Sequence, residues 1–414
     1  MISLTDCWLP YGETEIYVSV ELSNLLKMLG HHAEGEPIRL QEEILRGIDA
    51  PVGSAPLEEI VRPDCRVAVA VEGSMDPGHA VQVLSQLVRQ LIEMIVPSDR
   101  ITLIIGDCER ENSGSRLLDE IRKAHELSNV SVVDHVRSTS NLVEAGATHR
   151  GTPVNVNRLY AEATVKIAVG ETRLDHLCGF SGAHCAVVPG VCSPLTLMEN
   201  RRNYFRGGAA PGVIELNPIK EDLVEAVKLA GIDFSVNIAV SPSGKPLGVY
   251  AGGFEETWGK AIMALGGGYE DIADTLADVT VVSAGGYRFD FNLYRAAWAL
   301  ESASKATKRN GTVILLAECR DGLGAEAFTR LAKVTEASEF ERRYMCGAEA
   351  LQMFKRVTGI QRVILVSALP SYLVEPLGFE SSKTANKAYE MALDGRRSRS
   401  TFVVPHGSTL KITA

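Results

Sequence analysis

The sequence predicts an α/β protein of two domains with mostly parallel sheets and a cleft between them. Three observations carry this reading. Apolar runs of strand length recur at Arg66–Val71, Ile101–Ile105 and Thr164–Val169, and strands covered on both faces read in this way. Amphipathic helical patterns alternate with them, the clearest placing Ala80, Val81, Leu84, Leu87, Val88, Leu91 and Ile92 on one face. A chain of 414 residues also exceeds what a single hydrophobic core normally serves.

In order, Leu9-Pro10-Tyr11-Gly12 is a turn signal, and Glu15–Val20 alternates as a half-exposed strand. A helix and a Pro/Gly-rich loop are expected over 36–55. The strand Arg66–Val71, the loop Glu72–Pro77 and the amphipathic helix follow. The pattern repeats with Ile101–Ile105, a polar loop and a helix through Ile121, then strands at Val130–Val133 and Thr164–Val169. Val240–Pro246 reads as a hairpin turn, followed by a helix through Ile262. Val279–Ser283, a helix from Asn292 to Arg309, Val313–Ala317 and Val363–Val366 form a second α/β unit. The domains are expected at 1–265 and 266–414.

The net charge of -10 argues against a nucleic-acid or anionic-membrane partner. Apolar runs stop short of a bilayer span, and the opening MISLTD lacks the basic start of a signal peptide. Eight scattered cysteines without a CxxC pair read as reduced thiols in a cytoplasmic protein. Gly266–Gly268 and Gly285-Gly286 fit neither GxGxxG nor P-loop spacing, so no nucleotide fingerprint is expected.

The densest chemistry lies in Val169–Gly190, where Arg173, Asp175, His176, Cys178, His184 and Cys185 surround a Gly179-Phe180-Ser181-Gly182 turn. In parallel sheets, ligands sit beyond the carboxyl ends of the strands. The loops after Val71, Ile105 and Val169 then converge, gathering Asp76, Asp107, Cys108, Glu109, Asp175, His176, His184 and Cys185.

Two chemistries suit this set. His184 and Cys185, with His176 and Asp175 or Cys108, are ligand types for zinc or nickel, at a spacing that matches no standard motif. Alternatively, His176 or His184 serves as base with Asp107, Glu109 or Asp175 as partner. Arg150, Arg173, Arg201 or Arg202 would then clamp a small carboxylate-bearing ligand. Against these stand plainer roles: Cys178, Cys185 and Cys192 as small hydrophobes, Arg201-Arg202 as solvated surface, and His149-Arg150 fixing a turn. Tyr294 and Trp298, one helical turn apart, either line the cleft or pack there. His31, His32, His79, His125, His135 and His406 read as ordinary surface or core.

The chain resembles the nickel-pincer lactate racemase family over most of its length. The likeness rests on Leu9–Gly12, Gly146-Ala147-Thr148-His149-Arg150-Gly151-Thr152-Pro153-Val154, Gly179–Gly182, Pro189-Gly190, Gly285-Gly286-Tyr287 with Asp290, Asn292 and Tyr294, and Asp321-Gly322. The resemblance implies two α/β domains, a nickel-bearing nicotinate-derived nucleotide, and racemisation of 2-hydroxy acids by hydride transfer. It also puts the family's site residues on changed positions. The lysine that binds the pincer falls on Cys185, and the nickel-binding histidine on Arg201. One acid/base histidine falls on Asp175, next to His176, and the other on the stretch Gly106-Asp107-Cys108-Glu109. The phosphate-side Asp and Arg fall on Gly73 and Asp76, and a second-domain lysine on Trp298.

The resulting expectation is a divergent racemase or epimerase acting on a 2-hydroxy acid or sugar acid, with Ser181 among its ligand contacts. It would work without the lysine-anchored pincer, with zinc or with no cofactor. The other expectation is a catalytically lapsed homologue that binds a ligand.

Overall fold

The computed structural model describes residues 3–30, 38–106, 116–135, 141–396 and 398–414. Asp107, Cys108 and Glu109, and the pair His31-His32, lie outside these residues. The chain divides into two compact α/β units, one of residues 34–266 and one of residues 1–33 with 267–414.

The first unit is built on a six-stranded sheet in the order Pro246–Gly252, Phe234–Val240, Val165–Thr172, Val67–Val71, Ile101–Ile105, Ser131–Asp134. All neighbours are parallel except the edge hairpin Phe234–Val240/Pro246–Gly252. Every residue of Val67–Val71 is buried, as its unbroken apolar run requires. The helix Pro77–Glu93 buries Ala80, Val83, Leu84, Leu87, Val88 and Leu91. These join Val67, Val69, Val71, Leu103 and Ile167 in one core. Strand register aligns the loops at the carboxyl edge. Val71 stands opposite both Ile105 and Val169, so Val67–Val71 and Ile101–Ile105 end at one level, while the strand expected to stop at Val169 runs on to Thr172 beside Phe234–Val240. Backbone bonds seal that edge, from Glu72 N–H to Val169 O (2.9 Å) and from Gly106 N–H to Val71 O (2.8 Å).

The second unit has an all-parallel sheet in the order Glu380–Ser382, Arg362–Val366, Thr307–Leu316, Ala277–Ser283, Thr401–Val404, Leu25–Met28. Two sequence expectations are corrected here. Residues 1–33, assigned from sequence to the first domain, belong with the second unit. Leu25–Met28 pairs with Thr401–Val404. The hairpin Leu4–Tyr11/Thr14–Glu21 buries Cys7, Leu9, Val18 and Val20 with Val279, Val281, Ile314 and Ile364. The helix expected to reach Arg309 ends at Ala306, because Thr307 already stands beside Ala277 in the sheet. A β-branched residue at that point favours the strand.

Because Leu9 is fully buried in the second unit's core, Leu9→Ala is expected to destabilise that unit by about 2–5 kcal/mol. Urea unfolding checks this.

Candidate functional site

The residue after Val71 is Glu72, and Glu171 lies near the end of the neighbouring strand Val165–Thr172. Both point their carboxylates at the buried guanidinium of Arg173, two residues beyond Glu171. Arg173 Nη2 donates to Glu72 Oε1 (2.6 Å) and to Ser74 Oγ (2.7 Å), and Nη1 donates to Glu171 Oε2 (3.1 Å). Burial works against the Arg173 charge, but the two carboxylates outweigh it and its pKa is raised. The remaining carboxylate valences are filled. Glu72 Oε2 accepts from Glu171 N–H (2.8 Å), and Glu72 Oε1 from Ser74 Oγ (2.6 Å). Glu171 Oε1 accepts from Asp76 N–H (3.0 Å) and meets His79 Nδ1 at 2.8 Å. A carboxylate only accepts, so Nδ1 carries the proton.

Asp76, a sequence candidate for ligand contact, is the N-cap of the helix Pro77–Glu93. Its Oδ1 accepts from Gly78 N–H (2.9 Å) and His79 N–H (3.2 Å). His79, read from sequence as ordinary, is held on the buried Glu171. Glu72, Ser74, Glu171 and His79 are therefore the residues that sequence reasoning missed. The available signal was a charged residue at the carboxyl end of an apolar parallel strand, where ligand sites concentrate.

The Gly179–Gly182 turn is fastened to this network through Ser181. Its Oγ donates to Glu171 O (2.8 Å) and accepts from Arg173 N–H (3.3 Å). Ser181 O receives Trp258 Nε1–H (2.8 Å). Gly179 has φ +86°, and a side chain there would run into the Val213 carbonyl. At Gly182 a Cβ would press on Trp258, Asn237 and His184. Asp175 Oδ1 accepts from the amides of Leu177 and Cys178 (both 2.8 Å), so its carboxylate organises the loop.

His176 and His184 are both buried. The His184 ring packs edge-on against Trp258 at 4.5 Å between centroids. Neither of its nitrogens makes a hydrogen bond of ordinary geometry among the described residues. The imidazole lies beside the Cys185 thiol. Cys178 Sγ donates to Phe180 O (3.3 Å), and the coupling of its thiol to that of Cys185 is the largest influence on both. It pushes Cys185 below the ordinary thiol range, assisted by His184 against the cost of burial. It pushes Cys178 up, together with burial. Cys192, by contrast, is raised by burial alone.

The other candidates fall elsewhere. Arg150 pairs with Glu221 (2.6 Å) and His149 with Glu225. The same segment is pinned by Asp222, which is buried and accepts from Thr148, Thr152 and Asn200. Arg201 and Arg202 close the helix Pro194–Arg202, with Arg202 on Glu199 at 3.2 Å. Tyr294 and Trp298 are buried on the helix Leu293–Ala306 of the second unit, where Tyr294 Oη donates to Glu349 (2.5 Å). Among the described residues, no three His, Cys, Asp or Glu side chains converge as a metal-binding group. No helix among them is long and apolar enough to cross a membrane.

Parallel sheets with a polar, charge-paired carboxyl edge define a two-domain α/β protein built like a small-molecule enzyme. The chain belongs to the lactate racemase family: residues 11–210 match the lactate racemase N-terminal domain, and residues 272–412 match the C-terminal domain. It is 28% identical to lactate racemase of Lactiplantibacillus plantarum over 96% of this chain and 97% of that one. Identity to lactate racemase of Thermoanaerobacterium thermosaccharolyticum is 26%, over 78% of this chain and 77% of that one. The apoprotein structure of a lactate racemase from T. thermosaccharolyticum shares the fold, with a TM-score of 0.83 at 21% identity, covering 99% of this chain and 100% of that one. A Thermotoga maritima protein does so with a TM-score of 0.69 at 15% identity, over 92% and 100%. The resemblance read from short segments therefore holds across both domains.

Removing one partner of a buried ion pair leaves the others uncompensated. Arg173→Met is expected to cost about 3–5 kcal/mol of stability, and Arg202→Met, at an exposed pair, less than about 1 kcal/mol. Equilibrium denaturation of the two variants checks the contrast.

Proposed function

We propose that the chain is an isomerase of the lactate racemase family that acts on a small 2-hydroxy acid or sugar acid without the lysine-anchored nickel pincer. The observation that carries this reading is Cys185 on the Gly179–Gly182 turn beside the buried His184, whose ring is held against Trp258, with the thiol pushed below its ordinary range. It stands where the resemblance puts the pincer's anchoring lysine.

The donor chemistry does not fit the pincer. A lysine amine can form the thioamide that anchors it, and a cysteine thiol cannot. The resemblance puts the nickel-binding histidine on Arg201, whose guanidinium stays protonated and offers no lone pair. Asp76 carries negative charge where the resemblance calls for a cationic phosphate contact, and its carboxylate already caps a helix. No step is therefore routed through that group. In this reading the Cys185 thiolate is the group that accepts and returns a proton. The Cys178 thiol is turned to Phe180 O on the same turn, and the Arg173–Glu72–Glu171 network holds the turn that presents both residues.

A second reading, a homologue that binds a ligand without turning it over, is favoured by the arginines. Arg173 is already matched by two carboxylates and Arg150 by Glu221, so neither guanidinium offers a ready clamp.

Chiral chromatography of 2-hydroxy acids and sugar acids incubated with the protein separates the two. The isomerase reading expects stereochemical inversion of at least one substrate, lost at least about 100-fold in Cys185→Ser, the scale of a removed proton-transfer group. Ligand-induced thermal stabilisation without inversion of any acid would favour the binding protein.

A further inference from the structure

Inversion at the carbon that bears the hydroxyl removes a proton from one face and delivers one to the other. Cys185 sits on one short helix and serves one face, so the isomerase reading requires a second acid/base group. Resting on that reading, we infer that His79 is this group, exchanging a proton with the substrate's α-carbon through Nε2 while the buried carboxylate of Glu171 holds its ring.

The hydrogen bonds around His79 equip it for that role. The Glu171 side chain is shut away from solvent, whereas that of His79 is 13% exposed. Nδ1–H donates to Glu171 Oε1 (2.8 Å), so in the neutral ring Nε2 carries the lone pair. Nε2 makes no hydrogen bond among the described residues. The backbone is fixed as well, by His79 N–H to Asp76 Oδ1 (3.2 Å) and by Asp76 N–H to Glu171 Oε1 (3.0 Å). A carboxylate that sets the tautomer and orientation of an imidazole also steadies the imidazolium, as in general acid/base histidines.

His79 and Cys185 also approach the end of the strand Val165–Thr172 from opposite faces of the sheet. Successive residues of a strand point to opposite faces. Glu171 points to the face covered by the helix Pro77–Glu93, which carries His79. A Cβ on its neighbour Gly170 would stand 2.8 Å from Ala183 Cα, so the segment entering the Cys185 helix lies on the other face. Glu171 joins the two: its carboxylate holds His79, and its carbonyl accepts from Ser181 Oγ (2.8 Å) on the turn before Cys185.

The step balances. The Cys185 thiolate takes the α-proton from one enantiomer, and the C–H electron pair passes to the substrate carboxylate as an enediolate. The His79 imidazolium gives its Nε2 proton to the opposite face, and the electron pair returns to form the new C–H bond. Cys185 ends as the thiol and His79 as neutral imidazole, and proton exchange with water or turnover of the other enantiomer resets both.

The test uses the full chain in deuterium oxide with each enantiomer of an acid it inverts, following the α-proton by NMR and inversion by chiral chromatography. The wild type should place deuterium in the product enantiomer. His79→Asn keeps a side-chain N–H for Glu171 but has no titratable nitrogen. It should lose inversion in both directions by at least about 100-fold, while the enantiomer that Cys185 deprotonates still exchanges its α-proton. Cys185→Ser should confine exchange to the other enantiomer. His79→Gln is read in the same way if urea unfolding shows that His79→Asn does not fold. Inversion at the wild-type rate in the folded variant would overturn the inference and leave the isomerase reading standing. Loss of exchange from both enantiomers together with inversion would mark His79 as structural and overturn it too. A wild type that neither inverts nor exchanges any acid would remove the reading and the inference together.

Discussion

The buried guanidinium of Arg173 is the interaction on which the functional edge of the first unit depends. Burying a charge is costly unless it is paired and hydrogen-bonded. Here it is met by Glu72 and Glu171, which issue from adjacent parallel strands. Those carboxylates also hold the loop before the helix Pro77–Glu93 through Asp76 N–H and His79, and Ser181 ties the glycine turn to the Glu171 carbonyl. One ion-pair network therefore fixes strand ends, a helix start and the turn that carries the thiols. Its members are largely satisfied by one another, which makes it a scaffold more than a ligand clamp.

On that scaffold the turn holds two thiols in unequal states. Their coupling raises Cys178 and lowers Cys185, and His184 adds to the lowering. The family relationship supplies the fold and the location. In the proposed reading the side chains at that location supply a different chemistry, with sulfur at Cys185 in place of an amine that could carry a covalent nucleotide.

Much of the architecture was legible from the sequence because it is local. Val67–Val71 and Ile101–Ile105 read as buried strands from unbroken apolar runs, and the helix Pro77–Glu93 from its periodicity. The N-terminal strands were misassigned because their partners are far along the chain: Leu25–Met28 pairs with Thr401–Val404, and no local pattern records that. The site was legible in part. The nearness of the segments after Val71 and Val169 follows from strand order, although the second is still strand as far as Thr172, and the Gly179 turn follows from its glycines. The Glu72–Arg173–Glu171–His79 chain was not, since only in-register pairing brings residues 72, 79, 171 and 173 together. Asp76 and Asp175 looked like free acids in sequence, and the structure spends both on backbone amides.

The central claim is that this lactate racemase scaffold has exchanged its cofactor anchor for a thiol pair. Nickel content and intact mass, measured on the full chain produced together with the pincer-synthesis enzymes, address it most directly. The expected result is no stoichiometric nickel and no added covalent mass. Stoichiometric nickel with the mass of a bound pincer would contradict the account.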